Sequence, residues 1–243
     1  MSIRKSFKVF LSGLIIFVLN FTVNAQNEVK KLQEISKKMY ADLGGVIIVS
    51  QTSISFQGFE MISDSKIFKK QNKTRTENSI AGFPGRPGPM EMTTIADGND
   101  FWMISPERGK EKVDKNNPMA QMGKSAFDSG IPDSAKFLRT EKVGDRDCYV
   151  FQFTVTTPMG SANSTIWFDK KTAVLVKNET ETPQGKVSTK VEAFKKLKDK
   201  WEMPMKITAT MDGSPMMIAN ITSIQTDQNL SDDLFNADKA EVK

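Results

Sequence analysis

The chain contains no histidine, which removes the side chain that most often acts as a general base or binds a metal. Its single cysteine, Cys148, excludes an intramolecular disulfide and a multi-cysteine zinc site. An apolar run typical of a strand surrounds Cys148, so we expect a buried small hydrophobe there. Lys124 and Ser125 are adjacent on a predicted helix, where their side chains point apart and cannot act together as a nucleophile and base. We therefore predict that the protein is not an enzyme.

Methionine pairs are a second feature that could bind a metal, because thioethers select Cu(I). The pairs fall on different predicted elements, and methionine at alternating positions is also typical of a flexible core. A copper-binding protein remains an alternative function. The pairs are Met90 and Met92, Met119 and Met122, Met203 and Met205, and Met216 and Met217.

Oxygen-bearing residues alternate from Asp227 to Asp233 as they do at the start of a calcium-binding loop. The position that requires glycine in such a loop is Asp232 here. We therefore interpret the segment as the beginning of a helix, capped by Ser231 and with acidic residues in its first turn. The sequence predicts no metal site and no cofactor.

Residues 1–25 have the layout of a secretory signal peptide, with Arg4, Lys5 and Lys8 preceding an apolar run from Val9 to Val23. This run is shorter than the about 20 residues that a membrane-spanning helix needs. We expect cleavage after Ala25 and a periplasmic location. Without the three basic residues the net charge falls from +5 to +2, so the composition gives no support for nucleic-acid binding.

The full chain is 38% hydrophobic, which is enough to bury a core. Two kinds of element must position any site in its mature part. Residues 28–43 predict a helix, because apolar residues recur every three or four positions and Gly44 and Gly45 follow. From residue 46 the apolar period becomes that of strands, with turn signals such as Asp97-Gly98-Asn99 and Asp212-Gly213 between them. The later predicted strands are 61–69, 73–81, 90–96, 100–105, 136–143, 147–156, 161–169, 173–181, 186–197, 205–212 and 216–226.

A short second helix is predicted over residues 117–129, where Pro118 suits the first turn. No stretch resembles a linker, so residues 26–243 are predicted to form a single domain. Serial short strands joined by hairpin turns predict a mainly β (α+β) fold with one strongly curved antiparallel sheet. The N-terminal helix and the short mid-chain helix would cover this incomplete β-barrel. Sixteen phenylalanines and 14 methionines suit an apolar cavity, although an ordinary packed core stays open.

Six segments resemble, in order and spacing, the LolA-like periplasmic carriers that sort outer-membrane lipoproteins. They are Ile67 to Arg75 (IFKKQNKTR), Asp97 to Pro106 (DGNDFWMISP), Glu141 to Tyr149 (EKVGDRDCY), Trp167 to Thr172 (WFDKKT), Trp201 to Lys206 (WEMPMK) and Asn229 to Phe235 (NLSDDLF). The resemblance covers nearly the whole mature chain. It implies an incomplete β-barrel closed by helices and a role in outer-membrane biogenesis.

The resemblance further implies that the concave face binds the acyl chains of a lipoprotein or another lipid, without catalysis. Residues predicted to line that cavity are Phe56, Phe68, Ile95, Phe151 and Phe153, and those predicted to form the lid are Met119, Met122 and Phe127. In the family an arginine bonds the helical lid, and the candidates for this latch are Lys70 and Arg75. We expect a monomer whose partners are a lipid and an envelope membrane component.

One alternative of a different class stays open, because LolA-like domains also occur in envelope sensor and regulatory modules. A basic run formed by Lys195, Lys196, Lys198 and Lys200 is interpreted as a solvated turn, or as a contact to anionic lipid head groups or an acidic partner.

Overall fold

The computed structural model describes residues 27–56, 58–82, 85–114, 131, 134–157 and 160–242. The predicted signal peptide and the predicted second helix over 117–129 lie outside these residues. Helix α1 spans 27–43. The described strands are β1 Val46–Phe56, β2 Phe59–Lys70, β3 Lys73–Ala81, β4 Met90–Ala96, β5 Phe101–Ser105, β6 Gly109–Val113, β7 Lys136–Val143, β8 Arg146–Thr157, β9 Gly160–Asp169, β10 Leu175–Thr182, β11 Gly185–Leu197, β12 Trp201–Met211 and β13 Ser214–Gln225.

All of these strands belong to one antiparallel sheet in the order β6-β5-β4-β3-β2-β1-β13-β12-β11-β10-β9-β8-β7. Two meanders, β1–β6 and β7–β13, are joined where the first strand pairs with the last, and β6 and β7 form the two free edges. The sheet is therefore not closed. This confirms the predicted mainly β fold with an incomplete barrel.

Helix α1 forms because its apolar residues fall on one side. Val29, Leu32, Met39 and Leu43 are buried, whereas the lysines between them are exposed. The helix ends at Gly44, whose φ of +68° is a conformation that glycine adopts without strain. The next residue, Gly45, accepts a hydrogen bond from the Gln228 amide at 2.9 Å. A Cβ at Gly45 would lie only 2.1 Å from the Gln228 carbonyl oxygen, so this approach requires glycine.

The sheet curls around α1. Near the start of the helix, Val29 and Leu32 share a packed cluster with Phe151 on β8. Near its end, Met39 and Leu43 share another with Ile67 on β2. In a flat sheet β2 and β8 would lie about 34 Å apart at the usual strand spacing. The helix between Val29 and Leu43 is only about 21 Å long. Because α1 contacts both strands, the sheet must bend around it. We call the side of the sheet that faces α1 the inner face.

The opposite, outer face carries its own cover, the C-terminal segment 226–242. This segment contains two 3-10 turns, Asp232–Phe235 and Ala237–Lys239. The first begins at Ser231, whose side chain accepts a hydrogen bond from the Asp233 amide, as predicted for a cap. Phe235 and Leu230 pack on one part of the outer face. Ala237 and Ala240 pack on a second cluster, which belongs to β4 and β5.

Cys148 is fully buried on the outer side of β8, in a cluster with Val150, Trp167 and Val176. Burial and, secondarily, the neighbouring carboxylate of Asp169 raise the pKa of its thiol to about 11. Because the thiolate is the reactive form of cysteine, this side chain is inert at neutral pH. Cys148 acts as a small hydrophobe, in agreement with its apolar sequence context.

Candidate functional site

Two register rows of the inner face run across most of the sheet, each residue directly opposite the next. In the first row Met90, Ile80, Ser63, Thr52, Ala219, Ile207 and Val191 lie side by side on β4, β3, β2, β1, β13, β12 and β11. The second row comprises Met61, Ile54, Met217, Ala209, Thr189, Asn178, Ile166, Phe151 and Phe137, from β2 to β7. We call these the first and second inner rows.

Neither inner row contains an ionisable side chain, although 26% of the residues in the chain are charged. The outer face differs, because ion pairs cross it. Examples are Arg75 with Glu77 at 2.8 Å and Lys206 with Glu192 at 2.7 Å. Charges keep the outer face in water, whereas the uncharged inner rows lose little when water is removed from them.

Helix α1 covers only part of the inner face. The clusters that pack against it contain the early residues of β1 and the late residues of β2, such as Val46 and Ile67. Among the described residues, those clusters do not include Ile54, Met61 or Met217 in the second inner row. These three side chains are half-buried. The uncharged inner face therefore continues beyond the helix, and Ile54, Met61 and Met217 form its apolar part near the β1–β2 and β12–β13 turns.

Phe151 and Phe153, two of the predicted cavity residues, lie on the inner face. Phe151 is completely buried, and its ring lies at 5.7 Å from that of Phe137 and 6.4 Å from those of Tyr149 and Phe168. Phe153 is half-buried at the edge of the same cluster. The backbone of Phe56 pairs with that of Phe59 at the end of the β1–β2 hairpin.

Phe68 and Ile95 do not share that face, contrary to the sequence prediction. Phe68 packs with Leu230 and Phe235, and Ile95 packs with Ala237, so both lie on the outer face beneath the C-terminal segment. The reason is the two-residue period of a strand, which turns Phe68 away from its inner-facing neighbour Ile67. The C-terminal cover explains why an outer-face residue is apolar.

The predicted lid residues Met119, Met122 and Phe127 lie outside the described residues. The inner-row residues Ile54, Met61 and Met217 were not among the predicted cavity residues. Strand alternation alone could have found Ile54, which alternates with polar neighbours in β1. Met61 and Met217 become recognisable only from the register that places each opposite Ile54.

Lys70 and Arg75, the predicted latch residues, hold the C-terminal segment. The Lys70 ammonium donates to the Leu230 carbonyl at 2.9 Å, and the Arg75 guanidinium donates to the Leu234 carbonyl at 3.2 Å. These bonds correct the sequence prediction that they hold a mid-chain lid. The physical reason is that both side chains point to the outer face, on which the C-terminal segment lies.

Replacing Arg75 with methionine should loosen the C-terminal segment. The bond to the Leu234 carbonyl is charge-assisted and partly buried, and bonds of this type contribute about 1.5–3 kcal/mol. We expect amide hydrogen exchange in residues 230–240 to become at least about 10-fold faster. Lys73→Met is the matched control, because the Lys73 ammonium pairs with the exposed Asp232 carboxylate at 3.1 Å, and an ion pair at the surface contributes little to stability. Equal acceleration in both variants would contradict this role of Arg75.

Metal ligands do not converge in the part of the chain described here, where no group of three or more Asp, Glu or Cys residues is placed to hold an ion. Asp227, the first residue of the calcium-like pattern, is paired with Lys198 at 2.5 Å. Of the methionines weighed as copper ligands, Met203 is almost completely buried in the cluster under α1. Helical segments with the length and hydrophobicity of a membrane span are absent from the described residues.

Comparison with known proteins identifies the fold. No family model and no curated protein matches the sequence. A solved domain from Vibrio parahaemolyticus, described as an outer membrane lipoprotein-sorting protein, superimposes with a TM-score of 0.62 at 15% identity, covering 86% of this chain and 96% of that one. A DUF1329 family protein from Desulfovibrio piger gives 0.60 at 12% identity, covering 87% and 97%. The chain therefore has the LolA-like fold of a lipoprotein-sorting domain, which confirms the predicted resemblance at the level of the fold.

Proposed function

We propose that this protein binds the acyl chains of lipoproteins or other lipids on its inner face and carries them through the periplasm. The observation that supports the proposal best is the absence of ionisable side chains from both inner rows, which span the described strands from β4 around to β7. The solved lipoprotein-sorting domain from Vibrio parahaemolyticus has a similar fold, which agrees with this role.

The energy of binding would come from burial of apolar surface. An acyl chain with about 14 buried methylenes gains roughly 11 kcal/mol at about 0.8 kcal/mol each. The half-buried methionines of the inner rows suit this task, because an unbranched thioether side chain can repack around guests of different shape. No catalytic group is required, since the cargo leaves chemically unchanged.

A carrier must also release its cargo. Release requires an empty form that is stable enough to compete with the loaded one. An inner face that is partly occupied by α1 and partly open suits this balance, because the helix anchors the core while the remaining surface exchanges ligand for solvent. Outer-membrane lipoprotein sorting is the process that such a carrier would serve.

Export and lipid uptake can be tested together. The full chain would be expressed in a Gram-negative host and recovered from the periplasm, where we expect an intact mass that begins at residue 26. Organic extraction followed by mass spectrometry should find lipid bound to the protein, and the extracted protein should bind the apolar dye N-phenylnaphthylamine. A protein that carries no lipid and takes up no dye would contradict the proposal.

A further inference from the structure

The inner face carries two kinds of surface. On β7 to β10 the side chains of Phe137, Phe151, Phe153 and Ile166 pack together, beside a polar group in which the Ser164 hydroxyl bonds Asn178 and Thr180. On β1 to β4 several neighbouring inner positions carry hydroxyl and amide groups. We call the following residues the polar floor: Ser50, Thr52, Ser63, Ser65, Thr76, Asn78 and Thr94.

The residues of the polar floor are neighbours in the register. Ser65 lies opposite Ser50 on one side and opposite Asn78 on the other. Thr76 precedes Asn78 by one inner position on β3 and lies opposite Thr94. Side chains at such positions are close enough for one ligand group to contact several of them.

The hydrogen bonds between residues of the polar floor do not use all of its donors and acceptors. The Ser65 hydroxyl donates to the Asn78 amide oxygen at 2.6 Å. The Thr76 hydroxyl is buried without any hydrogen-bond partner in the described part of the chain. Because a buried polar group without a partner costs free energy, such a group calls for an explanation. A polar atom of a bound ligand would supply the hydrogen bond that the Thr76 hydroxyl lacks.

No residue of the polar floor is charged, which limits the kind of head group that it can bind. The inner-facing lysine nearest to it along β2 is Lys69, whose ammonium lies 4.5 Å from the centre of the Tyr40 ring beneath α1. A carboxylate or phosphate would lose its hydration without gaining a cationic partner on the floor itself. Uncharged donors and acceptors, such as ester carbonyls and hydroxyls, would gain hydrogen bonds there instead.

We infer that the inner face selects an uncharged amphiphile of the glyceride type. Its ester and hydroxyl groups bond the polar floor, and its acyl chain extends past the methionines of the second inner row toward the aromatic residues of β8. This inference rests on the proposed function and adds the class of head group to it.

Two ligands with the same chain and different head groups test the inference. Monoolein and oleate would displace N-phenylnaphthylamine from the delipidated full chain at pH 8. We expect monoolein to act at about 10-fold lower concentration than oleate. In the double variant Ser65→Ala/Thr76→Val this preference should disappear while dye binding is retained. The outer-face variant Ser53→Ala/Ser55→Ala, on exposed positions of β1, should keep the preference.

The outcomes separate the two proposals. If the dye does not bind, the proposed function fails and the inference fails with it. If the dye binds and the wild-type protein shows no preference for monoolein, the inference alone is wrong. A preference that persists in Ser65→Ala/Thr76→Val would also overturn it, because the floor would then not recognise the head group. Circular dichroism of each variant confirms that it is folded.

Discussion

Truncation of Phe151 to alanine should lower the free energy of unfolding by about 3–5 kcal/mol, the range typical of a buried aromatic side chain. Phe151 is completely buried and makes edge-to-face contacts with Phe137, Tyr149 and Phe168. It also joins the cluster that attaches the start of α1 to the sheet. The substitution therefore leaves a cavity at the junction between the helix and two strands.

Phe153→Ala provides the matched control, because Phe153 lies one inner position further along β8 and is only half-buried. We expect it to cost about 1–2 kcal/mol, as for an ordinary destabilising substitution. Urea unfolding followed by circular dichroism measures both variants. The apolar dye should bind less tightly to Phe153→Ala than to the wild type. Equal destabilisation by the two substitutions would show that they occupy equivalent core positions.

Local sequence signals predict the elements of this fold well. The apolar spacing of 28–43 predicts α1, whose boundaries of 27–43 differ by one residue at the start. Asp97-Gly98-Asn99 predicts a turn, and the Asp97 carboxylate accepts hydrogen bonds from the amides of Asn99 and Asp100. Strand β6 was not predicted, because Gly109–Val113 is a mostly exposed edge strand without apolar alternation.

The sequence predicts less well which face of the sheet a strand residue occupies. In β2 the consecutive residues Ile67, Phe68 and Lys69 are all buried, since α1 covers one face and the C-terminal segment covers the other. Alternation identifies one buried face only when the other meets water. The partner of Phe68 is Phe235, which lies far along the chain, so no local pattern identifies it.

Bulges add a second difficulty for sequence reasoning. The register of β10 against β9 shifts between Leu175 and Lys177. The consecutive residues Val176 and Lys177 therefore share the outer face, where Val176 packs with Trp167 and the Lys177 ammonium lies 4.6 Å from the centre of the Trp167 ring. An inserted residue changes which face every later side chain occupies, and the sequence does not mark where this happens.

A single negative charge in the second inner row should abolish most lipid binding. Met217 is half-buried and lies between Ile54 and Ala209 in this row. In Met217→Glu an acyl chain that crosses the row would lose contacts with two or three methylenes and would have to desolvate a carboxylate. A loss of about 2–3 kcal/mol corresponds to binding about 30–150-fold weaker. Titration with N-phenylnaphthylamine measures the change.

The adjacent residue supplies the control for this substitution. Ile218 lies next to Met217 on β13 but points to the outer face, where it is 41% exposed. Ile218→Glu adds the same charge to the same strand and should change neither stability by more than about 0.5 kcal/mol nor dye binding. If both variants lose binding equally, the added charge acts on the protein as a whole. If neither loses binding, the ligand does not cross the second inner row, and the inner face is not the binding surface.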